Sequence, residues 1–125
     1  MKKIISSPQA PKAVGPYSQA VEANGVLYIS GQLPIDPSTG AFVEGAAAEQ
    51  TVQCLRNIGA ILQEAGYGYS DVVKSTVLMA DMNDFAAMNE AYARFYAEPF
   101  PARVAYQVGR LPMGALIEIE TIAAK

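Results

Sequence analysis

The chain has 125 residues, a formal net charge of −3, 51% apolar and 17% charged residues, no histidine and one cysteine. This length suits one domain of ordinary size, and a chain this apolar is not intrinsically disordered. The absent histidines and the lone Cys54 exclude a histidine-based triad or general base, a zinc site, a disulfide framework and a CxxC redox pair.

Behind Lys2 and Lys3 stand only Ile4 and Ile5, short of the roughly 7–15 apolar residues of a secretory signal. No apolar run approaches the ~20 residues of a membrane span. A single cysteine fits a reducing compartment, so a cytoplasmic protein without a membrane partner is expected. Beyond Lys2 and Lys3 the basic residues are scattered singly, and the balance is acidic. No nucleic-acid partner is expected, because phosphates would find no basic stripe.

Pro8, Pro11, Gly15 and Pro16 predict a looped or extended approach over the first sixteen residues. A strand follows within 18–32, strongest at VLYISGQ (26–32), with Asn24-Gly25 as a tight hairpin turn before it. Pro34, Asp36-Pro37 and Thr39-Gly40 predict a long irregular connection. Val52, Leu55, Gly59 and Leu62 recur at helical spacing, which predicts a helix over 45–65 that ends at Gly66 in a left-handed turn. The β-branched run VVKSTVLMA (72–80) predicts a strand. A second helix is expected after Asn83 as N-cap, with Asp84 at its positive end. Its apolar stripe is Phe85, Met88, Tyr92 and Phe95, and Pro99 and Pro101 stop it. The last two strands, 102–108 and 115–123, read as an antiparallel hairpin joined through GRLPMG.

This order predicts an α+β fold in a single domain, 1–125, with one sheet and two helices. The strand faces do not close for a lone chain. Val73, Val77 and Met79 alternate with Val72, Thr76 and Leu78, and Val26 and Tyr28 with Leu27 and Ile29, so both faces of the sheet read as apolar. Two helices cover one face. A second copy of the chain is the simplest cover for the other.

The polar residues that could carry chemistry are Tyr17, Ser30, Asn89, Arg103, Glu118 and Glu120. With the hairpin centred near Leu111 and Pro112, Arg103 falls opposite Glu120 and Ala105 opposite Glu118, all pointing one way. Such a set is either a solvated cross-strand ion pair worth at most about 1 kcal/mol, or a carboxylate anchor beside a glutamate that holds water. Tyr17, at a loop-to-strand boundary, reads equally as a core cap or a ligand contact. Ser30-Gly31 reads either as a strand bulge or as a backbone N–H offered to a ligand. Asn89 by itself reads as a surface residue, and Cys54 as a small core residue.

GPYSQA (15–20), ISGQLPIDPSTG (29–40), the helix ending in AG (65–66), DMNDFAAMNEAY (81–92) and PARVAYQVGRLPMGALIEIE (101–120) together resemble the RidA/YjgF family of enamine/imine deaminases. That family is also labelled endoribonuclease L-PSP or translation inhibitor, and the resemblance runs almost end to end. It implies a chorismate-mutase-like α+β fold, with one mixed β-sheet and two helices packed on one face. It also implies a homotrimer with sites between subunits. The implied reaction is hydrolysis of 2-aminoacrylate and related enamines or imines to 2-keto acids and ammonia, without metal or organic cofactor. By the same resemblance Arg103 grips the substrate carboxylate and Glu118 positions the attacking water. Tyr17, Ser30, Gly31 and Asn89 match the remaining pocket positions. Two features depart from the pattern. Ala105 and Val104 stand where cysteine and serine are common, and the loop EPFPAR (98–103) is short. Two other readings stand beside the deaminase. One is a non-catalytic trimer that binds small carboxylates as a regulatory or chaperone-like module. The other is a ribonuclease, ranked last because the chain lacks histidine, a basic track and a stripe of stacking aromatics.

Overall fold

The computed structural model describes all 125 residues. Six strands and two helices follow in the order β1 (Lys3–Ile5), β2 (Ala20–Ala23), β3 (Val26–Gln32), α1 (Ala47–Ala65), β4 (Val72–Met79), α2 (Phe85–Ala93), β5 (Ala102–Gln107) and β6 (Ile117–Ala124). The strands form one mixed sheet in the order β1-β2-β3-β6-β4-β5, in which only β4 and β5 run parallel.

The β2–β3 hairpin turns through Asn24 (φ 52°) and Gly25 (φ 76°), two positive φ values in succession, which explains the Asn-Gly pair. The first residues are not wholly looped, because Lys3, Ile4 and Ile5 pair with Glu22, Val21 and Ala20. Helix α1 begins where Glu49 accepts a hydrogen bond from the Ala46 N–H at 2.9 Å. It ends at Gly66 (φ 82°), whose N–H and that of Tyr67 return to the carbonyls of Gln63 and Leu62. Its buried stripe is Leu55, Ile58, Ile61 and Leu62, with Cys54 and Thr51 beside it. Before α2, the cap is Asp81 rather than Asn83. The Asp81 carboxylate accepts the Asn83 N–H at 2.8 Å and starts a short 3₁₀ turn, Met82–Asp84, that leads into the helix.

The expected hairpin of the last two strands does not form. After β4 the chain crosses over through α2, and β5 comes back parallel to β4, with Arg103 beside Ser75. β6 then inserts between β3 and β4, antiparallel to both. The face assignment of β4 changes as well. A bulge at Val73 shifts the register between Val72 and Lys74. Val72 therefore joins Ser75, Val77 and Met79 on the buried face, while Lys74, Thr76 and Leu78 point the other way.

The helices pack on the face that carries Leu27, Ile29, Val77, Met79, Ile117, Ile119 and Ala123. The opposite face is uncovered within the chain. Tyr28 is 50% exposed there and Tyr106 46%, and Val104 ends, on the edge strand β5, the cross-strand row that runs Glu120, Thr76, Val104. No helix is long and apolar enough to cross a membrane.

Candidate functional site

The candidate residues fall into two groups on different parts of the sheet. The first group surrounds the middle of β3. The pairing of β3 with β6 is irregular between Ile29 and Gln32, and Ser30 and Gly31 occupy this bulge. Ser30 is fixed toward the preceding segment: its N–H donates to the Gln19 carbonyl at 2.9 Å and its hydroxyl to the Ser18 carbonyl at 2.6 Å. At Gly31 the backbone comes close to Glu118, since a Cβ at that position would meet the Glu118 carboxylate and displace it. Glu118 thus lies directly over the bulge. Its half-burial pushes the carboxyl pKa up by desolvation, and the neighbouring Glu120 charge adds to the rise.

Tyr17 stands at the rim of the same region, 51% exposed, with its ring edge on a pocket of about 430 Å³ that Gly31, Gln32, Ile35 and Met113 also line. The arm that carries Tyr17 is tied down by Gln19, a residue with no role in the sequence reading. The buried Gln19 amide accepts the Ser7 N–H at 2.6 Å and donates to the Pro11 carbonyl at 2.8 Å. Its place inside the GPYSQA segment was visible, but nothing in its spacing distinguished a bracket from a surface glutamine.

The second group lies at the β5 edge of the sheet. Arg103 projects from β5 to the helix side, where its guanidinium carbon sits 4.8 Å from the Tyr92 ring centroid and 5.7 Å from that of Phe85. Asn89, Tyr92, Phe100, Pro101 and Arg103 line a pocket of about 400 Å³. Asn89 is therefore a pocket residue here, one turn of α2 from Tyr92. The one ion pair of the chain, Glu90–Arg94, is elsewhere, so no carboxylate holds Arg103. The guanidinium is available for an external anion.

The expected juxtaposition of Arg103 with Glu120 and Glu118 is absent. Arg103 lies in the cross-strand row of Ser75 and Thr121, whose side chains are buried under the helices. Glu118 lies in the row of Leu78 and Tyr106, and Glu120 in that of Thr76 and Val104, on the opposite face. β3 and β5 are also three inter-strand steps apart, roughly 14 Å at ~4.8 Å per step. Tyr17, Ser30, Gly31 and Glu118 make one group, and Asn89 and Arg103 make another.

Cys54 belongs to neither group. It is fully buried, with its thiol 3.7 Å from the Ile117 carbonyl, and desolvation pushes the thiol pKa well up, which keeps it neutral and unreactive. No group of three acidic or cysteine side chains is placed to hold a metal ion.

The family model described as Endoribonuclease L-PSP matches residues 7–125. A RutC family protein from Pyrococcus horikoshii is 57% identical over 125 residues, covering 100% of this chain and 99% of its own. The 2-iminobutanoate/2-iminopropanoate deaminase of Bos taurus is 52% identical over 125 residues, covering 100% of this chain and 91% of its own. A crystal structure of a conserved Rid-family protein from Yersinia pestis superposes with a TM-score of 0.97 at 45% identity, covering 100% of both chains.

Proposed function

The chain belongs to the endoribonuclease L-PSP family, also called RidA/YjgF, and from that premise we propose that it is a hydrolytic deaminase of reactive enamines and imines. The observation that carries this reading is the likeness, over the whole chain, to a 2-iminobutanoate/2-iminopropanoate deaminase. The substrate class is a 2-imino acid or its enamine tautomer, and the products are the 2-keto acid and ammonia.

The geometry supports assigned roles. Arg103, free of any carboxylate in its own chain, receives the substrate carboxylate through its planar fork, with Asn89 beside it. Glu118 takes a proton from water as the water oxygen adds to the imine carbon. Glu118 returns that proton to the carbinolamine nitrogen; the C–N bond then breaks as the hydroxyl oxygen forms the carbonyl and gives its own proton to Glu118, and ammonia leaves beside the 2-keto acid. An iminium carbon is already electrophilic. A held carboxylate and one placed water are sufficient for the reaction, and a raised carboxyl pKa suits Glu118 to the transfer. Ser30 and Gly31 shape the wall over which Glu118 lies, and Tyr17 closes its rim.

Since the two groups lie on different faces of one sheet, a complete pocket needs two copies. The Arg103 half of one copy meets the Glu118 half of the next. Contact between two different patches is head-to-tail, and such contacts close into a ring when the rotation between copies is a whole fraction of a turn. A homotrimer satisfies this, matches the family resemblance and buries the uncovered face bearing Tyr28, Val104 and Tyr106. We further read the chain as one domain that works in the cytoplasm without a nucleic-acid partner.

A second reading, a non-catalytic trimer that binds small carboxylates, is favoured by one observation, Ala105 in place of the frequent cysteine. Ammonia release from freshly generated 2-aminoacrylate, with and without the protein, decides between the two. Deamination above the spontaneous rate supports the enzyme. Pyruvate binding without acceleration supports the binding module.

A further inference from the structure

An arginine that must receive a carboxylate in both prongs needs its fork held in one plane before the ligand arrives. Nothing acidic in the chain performs that task for Arg103. Its neighbours are rings. The guanidinium lies over Tyr92 at 4.8 Å, with Phe85 a looser wall at 5.7 Å. Tyr92 is itself fixed from behind by Tyr96, whose ring centroid is 4.7 Å away. Tyr96 meets Tyr69 edge-on at 5.7 Å, and the Tyr69 hydroxyl donates to the Leu55 carbonyl at 2.6 Å. A column of three rings thus runs from Arg103 to the backbone of α1.

The Tyr92 hydroxyl does not explain the residue. It is buried and meets only the Ser75 hydroxyl, which it shares with Tyr96 and without well-aligned hydrogen-bond geometry. What Tyr92 presents to the pocket it shares with Arg103 and Asn89 is its ring.

We propose that Tyr92 is a positioning residue for Arg103: its ring face holds the guanidinium by a cation–π contact, so that the donor edge is set for the substrate carboxylate. This role rests on the deaminase reading. A guanidinium over an aromatic face keeps its in-plane N–H donors free, since the attraction acts through the flat face of the cation. The ring therefore orients the anchor without competing for it. The role needs a ring and not a phenol, which separates it from a hydrogen-bonding function.

The test uses the full-length protein, pyruvate as the carboxylate probe and the imine reaction as the activity. Tyr92→Leu is expected to raise both the pyruvate Kd and KM at least tenfold with kcat within threefold, because the carboxylate is held alike in ground and transition states. Tyr92→Phe recovers most of that loss. Phenylalanines carrying one to four ring fluorines at position 92 keep the shape but drain the ring face of negative potential, and affinity is expected to fall stepwise along the series. The Arg103 side-chain protons should show an upfield ring shift by NMR that disappears in Tyr92→Leu. A flat fluorine series overturns the proposal, and it decides the matter alone if Tyr92→Leu fails to fold. Wild-type protein that deaminates while that series stays flat overturns the role of Tyr92 only. Wild-type protein that neither deaminates nor binds pyruvate overturns the deaminase reading, and the positioning role falls with it.

Discussion

Glu118 carries most of the residue-scale consequences. A carboxyl whose pKa is raised by burial holds its proton more tightly in the folded chain than in the unfolded one. Ionised Glu118 therefore detracts from stability at pH above the folded pKa, and the penalty is gone below the unfolded value. Glu118→Gln is expected to melt higher than wild type at neutral pH, with the two melting temperatures converging as pH falls through the carboxylate range in scanning calorimetry. The same substitution removes the proton acceptor, so kcat is expected to drop by about 10²-fold or more while pyruvate affinity holds. Glu120 is exposed and acts on Glu118 through its charge. Glu120→Gln should keep the plateau rate and move the acid limb of the pH–rate profile to lower pH. At Gly31 the limit is steric. An added methyl in Gly31→Ala displaces the Glu118 carboxylate, the flexible end of its side chain, and the expected outcome is a fall in kcat with little change in denaturant unfolding.

Elements that depend on near neighbours were legible, and those that depend on partners were not. The Asn24-Gly25 turn announces itself, because two successive positive φ values admit few other residues. Gly25 is constrained twice, since a Cβ there would stand 2.9 Å from the Lys125 carbonyl, whose residue pairs back to the turn through its N–H. Gly25→Ala is expected to cost roughly 1–2 kcal/mol by urea unfolding, the added strain of a left-handed residue with a side chain. The end of α1 at Gly66 was equally plain, but the Lys125 ammonium that donates to the Gly66 carbonyl at 2.8 Å was not, because 59 residues separate them. The last two strands misled for a related reason. A short connection with glycine and proline between two strand-like runs reads as a hairpin, yet β4 holds pairings with both β5 and β6 and separates them.

At the scale of the molecule, the uncovered sheet face and the separation of Arg103 from Glu118 both bear on the proposed assembly. A site built from Arg103 of one copy and Glu118 of another can be complemented. A mixture of equal Arg103→Ala and Glu118→Gln protein, refolded together, should regain about a quarter of wild-type activity, since random assembly pairs an intact Arg103 with an intact Glu118 at one interface in four. A mixture as inactive as its components would place both residues in one protomer's site, and light scattering that gives a lone 125-residue chain would remove the interface. With a net charge of −3 and no basic cluster beyond Lys2 and Lys3, RNA binding is expected to be weak and lost in moderate salt. Gel shifts at two ionic strengths would check it.

The amino-acid sequence by itself determined the α+β class, the extents of α1 and β3, the turn at Asn24-Gly25 and the two-sided apolarity of the sheet. These features follow from period, from backbone freedom and from side-chain chemistry, each written within a few residues. Only the tertiary structure decided which strands are neighbours and which face each side chain takes. One bulged residue at Val73 reverses the faces of the β4 segment before it relative to the rest, and no local pattern records it. The position of β4 between β5 and β6 sends Arg103 under α2 and leaves Glu118 on the open side. Strand order is settled by the summed burial of the whole sheet against two helices, so Arg103 and Glu118, which read as one cluster in the sequence, stand on opposite faces of the sheet.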